Sequence, residues 1–79
     1  QERRVEMSKI AHKYAEQGRV AIRNVRRDGM ELLKRLEKDG DISQDEHRTR
    51  ADEVQKATDQ HIKRVDEALA QKEKEIMQV

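Results

Sequence analysis

Apolar residues recur at every third or fourth position along most of this chain, which is the spacing of one face of an α-helix. One such run covers residues 7–36 and a second covers residues 51–76, and the sequence contains no proline. The pattern therefore predicts an all-α protein made of two long helices, at about residues 2–39 and 44–77.

The segment between the two runs carries the signals that end one helix and begin another. Gly40 can adopt the left-handed conformation that closes a helix C-terminus. Ser43 and Glu46 have the spacing of a capping box, in which each side chain satisfies the backbone N–H of the other residue. A turn as short as residues 40–43 predicts that the helices are antiparallel neighbours.

The apolar arc of the first helix is wider than one neighbouring helix can cover, because it spans about 140° on a helical wheel. Gly18, at the middle of the arc, is predicted to be a point of close helix approach. We expect a third helix outside this chain and interpret residues 1–79 as one partial helical-bundle domain, part of a three-helix bundle. The arc consists of Met7, Ala11, Tyr14, Gly18, Ala21, Val25, Leu32 and Leu36, with Ile10, Ile22 and Leu33 on its flanks.

Stability is predicted to be marginal, because only 33% of the 79 residues are hydrophobic and 44% are charged.

The second helix mixes acids and bases on the side away from its apolar face. Asp59 and Lys63, for example, have the spacing of an ion pair on a helix.

Four arginines form a dense cationic surface on the first helix. On a helical wheel Arg19, Arg23 and Arg26 fall within an arc of about 60°, with Arg27 at its edge. Two interpretations stay open: a solvated face, which is common on helices, or a phosphate-binding surface, since guanidinium groups bind phosphate bidentately.

Charge is distributed unequally between the two halves. Residues 1–38 contain 11 Lys or Arg and 6 Asp or Glu, whereas residues 39–79 contain 7 and 11. Polyanion binding, if the chain has this activity, therefore belongs to the first half. Because Tyr14 is the only aromatic residue, backbone recognition of folded RNA is favoured over base stacking on single strands. A structural coiled-coil or helical-hairpin element is the alternative.

Enzymatic chemistry is not expected. The chain has no cysteine, and His12, His47 and His61 lack the spacing of a metal site, so we predict no catalytic residues, metal or cofactor. His61, on the apolar face, is interpreted as a packed or half-buried neutral histidine. No apolar run approaches the length of a membrane span, and we expect a soluble intracellular protein with no membrane partner.

Several segments together resemble one protein family, the bacterial-type ribosome recycling factors. The resemblance covers essentially the whole chain and is most specific around Arg-Asn-Val-Arg-Arg-Asp. Gly29 stands where alanine is more usual in that family. The segments are Arg3-Arg4, the run from Ala15 to Asp28, the turn from Gly40 to Glu46, Val54-Gln55-Lys56 with Thr58-Asp59, and the tail from Lys72 to Met77.

The resemblance implies a fold and a function. It implies a three-helix bundle with a small β domain inserted between the first and second helices, of which this chain resembles only the second and third helices. It also implies a cytoplasmic or organellar translation factor that binds large-subunit ribosomal RNA and, with elongation factor G, splits the post-termination ribosome. DNA is not an expected partner. The implied RNA-binding residues are Arg23, Arg26 and Arg27, with Arg19 and Arg3 as weaker candidates.

Overall fold

Two long helices make up nearly all of the protein. A computed structural model describes residues 2–78, in which α1 spans Glu2–Lys38 and α2 spans Gln44–Gln78. No strand occurs within this described range. The predicted all-α class is confirmed, and α1 ends one residue before its predicted end while α2 ends one residue after.

The helices pack against each other in antiparallel directions. A Cβ atom added at Gly18 would lie 3.8 Å from Cγ2 of Val65, and one added at Gly29 would lie 3.8 Å from Cγ1 of Val54. The partner position on α2 thus moves backward as the position on α1 moves forward. Gly18 is a point of close helix approach, as predicted, and Gly29 is a second.

A hydrogen-bonded C-cap at Gly40 ends α1. Gly40 has a φ of +80°, the Asp41 N–H donates to the Leu36 carbonyl at 2.8 Å, and the Gly40 N–H donates to the Glu37 carbonyl at 3.0 Å. These two bonds are those of a Schellman motif, which satisfies carbonyls that the helix leaves open.

Side chains on both sides of the turn hold the start of α2 in place. Ser43 Oγ accepts the N–H of Glu46 at 3.1 Å, so Ser43 caps α2 as predicted. The reciprocal bond of the predicted capping box, from the Ser43 N–H to the Glu46 side chain, does not occur in the described structure. His47 Nδ1 in the first turn of α2 lies 2.9 Å from Oε1 of Glu37 in the last turns of α1, and both side chains are partly buried. The turn is therefore held both by the cap at Ser43 and by the contact between Glu37 and His47 in the adjoining helix ends.

The core between the helices is small. Within the described range only Ala15, Thr58 and Ile76 are buried, and no side chain is completely enclosed. The Thr58 hydroxyl donates to the Val54 carbonyl at 2.7 Å, so its burial leaves no polar atom unsatisfied. So little apolar burial agrees with the marginal stability expected from composition.

The helix interface lies on one flank of the predicted apolar arc. Ile22 and Leu33, assigned to that flank, are half-buried, whereas Tyr14, Val25 and Leu32 are exposed. Tyr14 and Val25 border two open grooves of about 530 and 390 Å³ along one side of the hairpin. We name the residues of α1 that line these grooves the groove face: Met7, Ile10, Ala11, Tyr14, Ala15, Ala21, Ile22, Val25 and Arg26.

Replacing Gly29 with alanine is expected to stabilise the protein. The added methyl group meets Val54 at an ordinary van der Waals distance of 3.8 Å, so no neighbour has to move. Glycine inside a helix costs about 0.5–1 kcal/mol relative to alanine, because it loses more backbone entropy on folding. Thermal unfolding followed by circular dichroism should show a higher midpoint for Gly29→Ala.

The same substitution at Gly40 provides the control and should have the opposite sign. The left-handed φ of Gly40 costs an L-residue roughly 1–2 kcal/mol. A lower midpoint for Gly29→Ala would mean that α1 and α2 pack more closely there than 3.8 Å allows.

Candidate nucleic-acid interface

The cationic surface of α1 lies on the opposite side of the helix from most of the groove face. We name Arg19, Arg23, Arg26 and Arg27 the arginine stripe. On the helical wheel its centre is roughly 145–165° from groove residues such as Tyr14 and Val25. One helix therefore presents an apolar surface and a cationic surface in different directions.

Arg19 is held by carboxylates of both helices. Its Nη2 and Nε donate to Oδ1 of Asp66 on α2 at 2.6 and 2.9 Å, and its Nη1 donates to Oε2 of Glu16 at 3.1 Å. The hydrogen bond to Asp66 is the largest cause that raises the pKa of Arg19 above its usual value. Only 19% of the side chain is exposed, so Arg19 acts as a clamp between the helices.

Arg23 and Arg27 are exposed and weakly paired. Arg23 Nη1 lies 3.6 Å from Oε1 of Glu16, and Arg27 Nε lies 3.7 Å from Oδ1 of Asp28. Exposed pairs at these distances contribute little, about 0–1 kcal/mol. A phosphate group could replace either carboxylate at small cost.

Arg26 is half-buried and differs from the other three arginines in its surroundings. Among residues 2–78, no carboxylate oxygen lies within 4.0 Å of its guanidinium nitrogens. Its side chain also lines the smaller groove beside Ile22 and His61. Its aliphatic part thus packs at the helix interface while its charge has no acidic partner in the described part of the chain.

Arg3 does not belong to the stripe. It is exposed in the first turn of α1, roughly 24 Å along the helix axis from Arg19 at the normal helical rise. The five predicted RNA-binding arginines therefore fall into three groups. Arg19 joins the two helices and Arg3 lies far along α1, which leaves three arginines of the stripe available for binding: Arg23, Arg26 and Arg27.

Charged pairs across the helix interface were not predicted from the sequence. In addition to Arg19 and Asp66, Nε2 of His12 contacts Oε1 of Glu73, which also accepts the Ser8 hydroxyl at 2.9 Å. The Ser8 hydrogen bond is the main cause that lowers the pKa of Glu73; desolvation opposes it, and His12 adds to the lowering. A signal existed in the sequence, since acids occur at residues 52, 59, 66 and 73, seven positions apart.

One predicted pair on α2 is wrong. Asp59 makes no ion pair with Lys63 within 4.0 Å in the described structure, and its Oδ1 instead accepts Nε2 of Gln55 at 2.9 Å. The interpretation of His61 as a packed residue is also wrong, since it is exposed and its Nδ1 lies 2.7 Å from the Ala57 carbonyl.

Other kinds of site have no support within residues 2–78. No three His, Asp or Glu side chains come together there in a way that could hold a metal ion. Neither of the two described helices is long and apolar enough to cross a membrane.

Comparison with known proteins points to one family. The family model described as ribosome recycling factor matches residues 1–77. A ribosome-recycling factor from Rhodospirillum centenum is 72% identical over all 79 residues, which make up 43% of that protein. Proteins of the same name from Methylobacterium nodulans and Hyphomonas neptunium are each 68% identical over the whole chain, which covers 42% and 43% of their lengths. The chain thus spans less than half the length of the curated relatives it matches.

Proposed function

The chain belongs to the ribosome recycling factor family, and from this membership we propose that it supplies the RNA-binding helices of a factor that disassembles ribosomes after termination. In this proposal α1 lies along ribosomal RNA of the large subunit. Elongation factor G is the partner whose GTP hydrolysis supplies the energy, and the cytoplasm is the site of action.

The observation that carries the proposal is the group of available arginines on one side of α1. Arg23, Arg26 and Arg27 lie within about 6 Å along the helix axis at the normal rise per residue. None of them has a carboxylate closer than 3.6 Å in the described structure. Such a cluster suits successive phosphates of an RNA backbone, because each guanidinium can donate two parallel hydrogen bonds.

The chain's role is to bind and to position, without chemistry of its own. The arginine stripe fixes the orientation of α1 on RNA, and the clamp between Arg19 and Asp66 fixes α1 relative to α2. No residue is proposed as a nucleophile, general base or metal ligand. The work of subunit separation then falls to the partner GTPase.

A structural helical hairpin is the second candidate, and one observation favours it. Arg19, part of the stripe, already donates hydrogen bonds to the carboxylates of Asp66 and Glu16. If the remaining arginines served only as a solvated face, the stripe would contribute solubility and helix pairing but no binding.

Binding to isolated ribosomal subunits tests the proposal. A full-length protein that carries this segment is expected to bind large subunits more tightly than small subunits. Affinity for the large subunit should fall steeply with added salt, because each neutralised phosphate releases a counterion. Equal binding to both subunits, or affinity that does not depend on salt, would favour the structural hairpin.

A further inference from the structure

The cross-helix pairs follow a regular register that extends to Arg26. His12 contacts Glu73, and Arg19 contacts Asp66, so a step of seven residues forward on α1 matches a step of seven backward on α2. The next position in this series places Arg26 opposite Asp59. Seven residues are two helical turns, which returns each side chain to the same side of its helix.

The third pair of the series, Arg26 with Asp59, is not formed in the described structure. Asp59 Oδ1 accepts Nε2 of Gln55 at 2.9 Å, and no carboxylate of residues 2–78 lies within 4.0 Å of Arg26. Gln55 is half-buried next to the helix interface, one turn before Asp59 on α2. One oxygen of the Asp59 carboxylate is therefore bonded along α2, while the arginine that the register places across from it has no acidic partner in the described residues.

We propose that Gln55 is a positioning residue that holds Asp59 away from Arg26 and thereby keeps Arg26 available to bind phosphate. The inference rests on the proposed function, since it takes Arg26 as an RNA contact. In this proposal Asp59 competes with RNA phosphate for the guanidinium group of Arg26.

The competition follows from the chemistry of the two anions. Carboxylate and phosphate both bind a guanidinium group through two parallel hydrogen bonds, and a bound carboxylate also neutralises the positive charge that attracts the phosphate. Asp59 is exposed, so its side chain has room to change rotamer and leave Gln55. Lys56 and Lys63 flank Asp59 on α2, but neither pairs with it in the described structure. Gln55 is the neighbour that decides where this carboxylate points.

Three variants of the full-length protein test the inference by binding to isolated large subunits over a series of salt concentrations. Gln55→Ala is expected to weaken binding by roughly threefold or more, because Asp59 then neutralises Arg26. The plot of log affinity against log salt should also become shallower, with a slope about one unit less negative. Asp59→Asn is expected to bind as tightly as the wild type or more tightly. In Gln55→Ala/Asp59→Asn the effect of losing Gln55 should disappear, which identifies the coupling between the two side chains.

Gln60→Ala is the matched control, since Gln60 is an exposed glutamine of α2 that lies roughly 165° round the wheel from the interface with α1. It should leave both affinity and salt slope unchanged. Helicity and thermal midpoint should stay within error for all of these variants, because none removes a core side chain.

Two results would overturn the inference while leaving the proposed function intact. In the first, Gln55→Ala binds normally although Arg26→Glu weakens binding. In the second, Gln55→Ala weakens binding equally with and without Asp59, which would make Gln55 an RNA contact itself. If Arg26→Glu also binds normally, the proposed function fails, and this inference fails with it.

Discussion

Replacing Arg26 with glutamate is expected to weaken large-subunit binding by about tenfold or more at moderate salt. The substitution removes charge-assisted hydrogen bonds, each worth on the order of 1.5–3 kcal/mol, and adds a negative charge next to RNA phosphate. Because each lost phosphate contact removes one released counterion, the salt dependence of binding should also become shallower.

Stability should change little in Arg26→Glu, and the structure gives the reason. Arg26 has no acidic partner within 4.0 Å in residues 2–78, so its loss leaves no acidic group unpaired. Its side chain is half-buried, not enclosed, so the substitution opens no sealed cavity. Helicity and melting temperature of the full-length variant should therefore stay close to those of the wild type.

Lys74→Glu provides the matched control, because Lys74 is an exposed base on the side of α2 away from the helix interface. It makes the same change in net charge and should leave affinity almost unchanged. Equal binding by both variants would mean that the stripe is a solvated face. Unfolding of Arg26→Glu alone would mean that its side chain holds the helices together.

The fold could be predicted from sequence because its determinants are local. The helical spacing of apolar residues, the left-handed position at Gly40 and the cap at Ser43 each act within a few residues along the chain. The sequence did not predict which flank of the apolar arc packs against α2. A helical wheel identifies Ile22 and Val25 as one broad surface, whereas packing leaves Ile22 half-buried and Val25 71% exposed.

Helical spacing placed the four arginines of the stripe on one surface but did not distinguish them. Only the family resemblance ranked Arg19 below the other three. Arg19 and Arg26 occupy equivalent positions seven residues apart, so the sequence of α1 alone treats them alike. Their difference depends on α2, where Asp66 contacts Arg19 while Asp59 is bonded to Gln55. Such a distinction requires the register between two helices, which spacing within one helix does not contain.

The groove face leads to a prediction about association. Tyr14 is 67% exposed and Val25 is 71% exposed, and both line open grooves between α1 and α2. Exposed apolar surface of this extent is typical of an interaction site. The isolated 79-residue chain is therefore expected to associate at micromolar concentration, and its melting temperature should rise with protein concentration.

Val25→Glu is expected to raise the dissociation constant of that association by at least about tenfold, equivalent to ~1.4 kcal/mol, because it places a carboxylate in a surface that becomes buried. Val20→Glu is the matched control: Val20 is also an exposed valine of α1, at 45%, but it lies about 140° round the helix from Val25. Sedimentation of both variants over a concentration series measures the difference. A compact monomer with cooperative unfolding at micromolar concentration would show that the two-helix hairpin is sufficient by itself. Equal shifts for both variants would place the association on a surface other than the groove face.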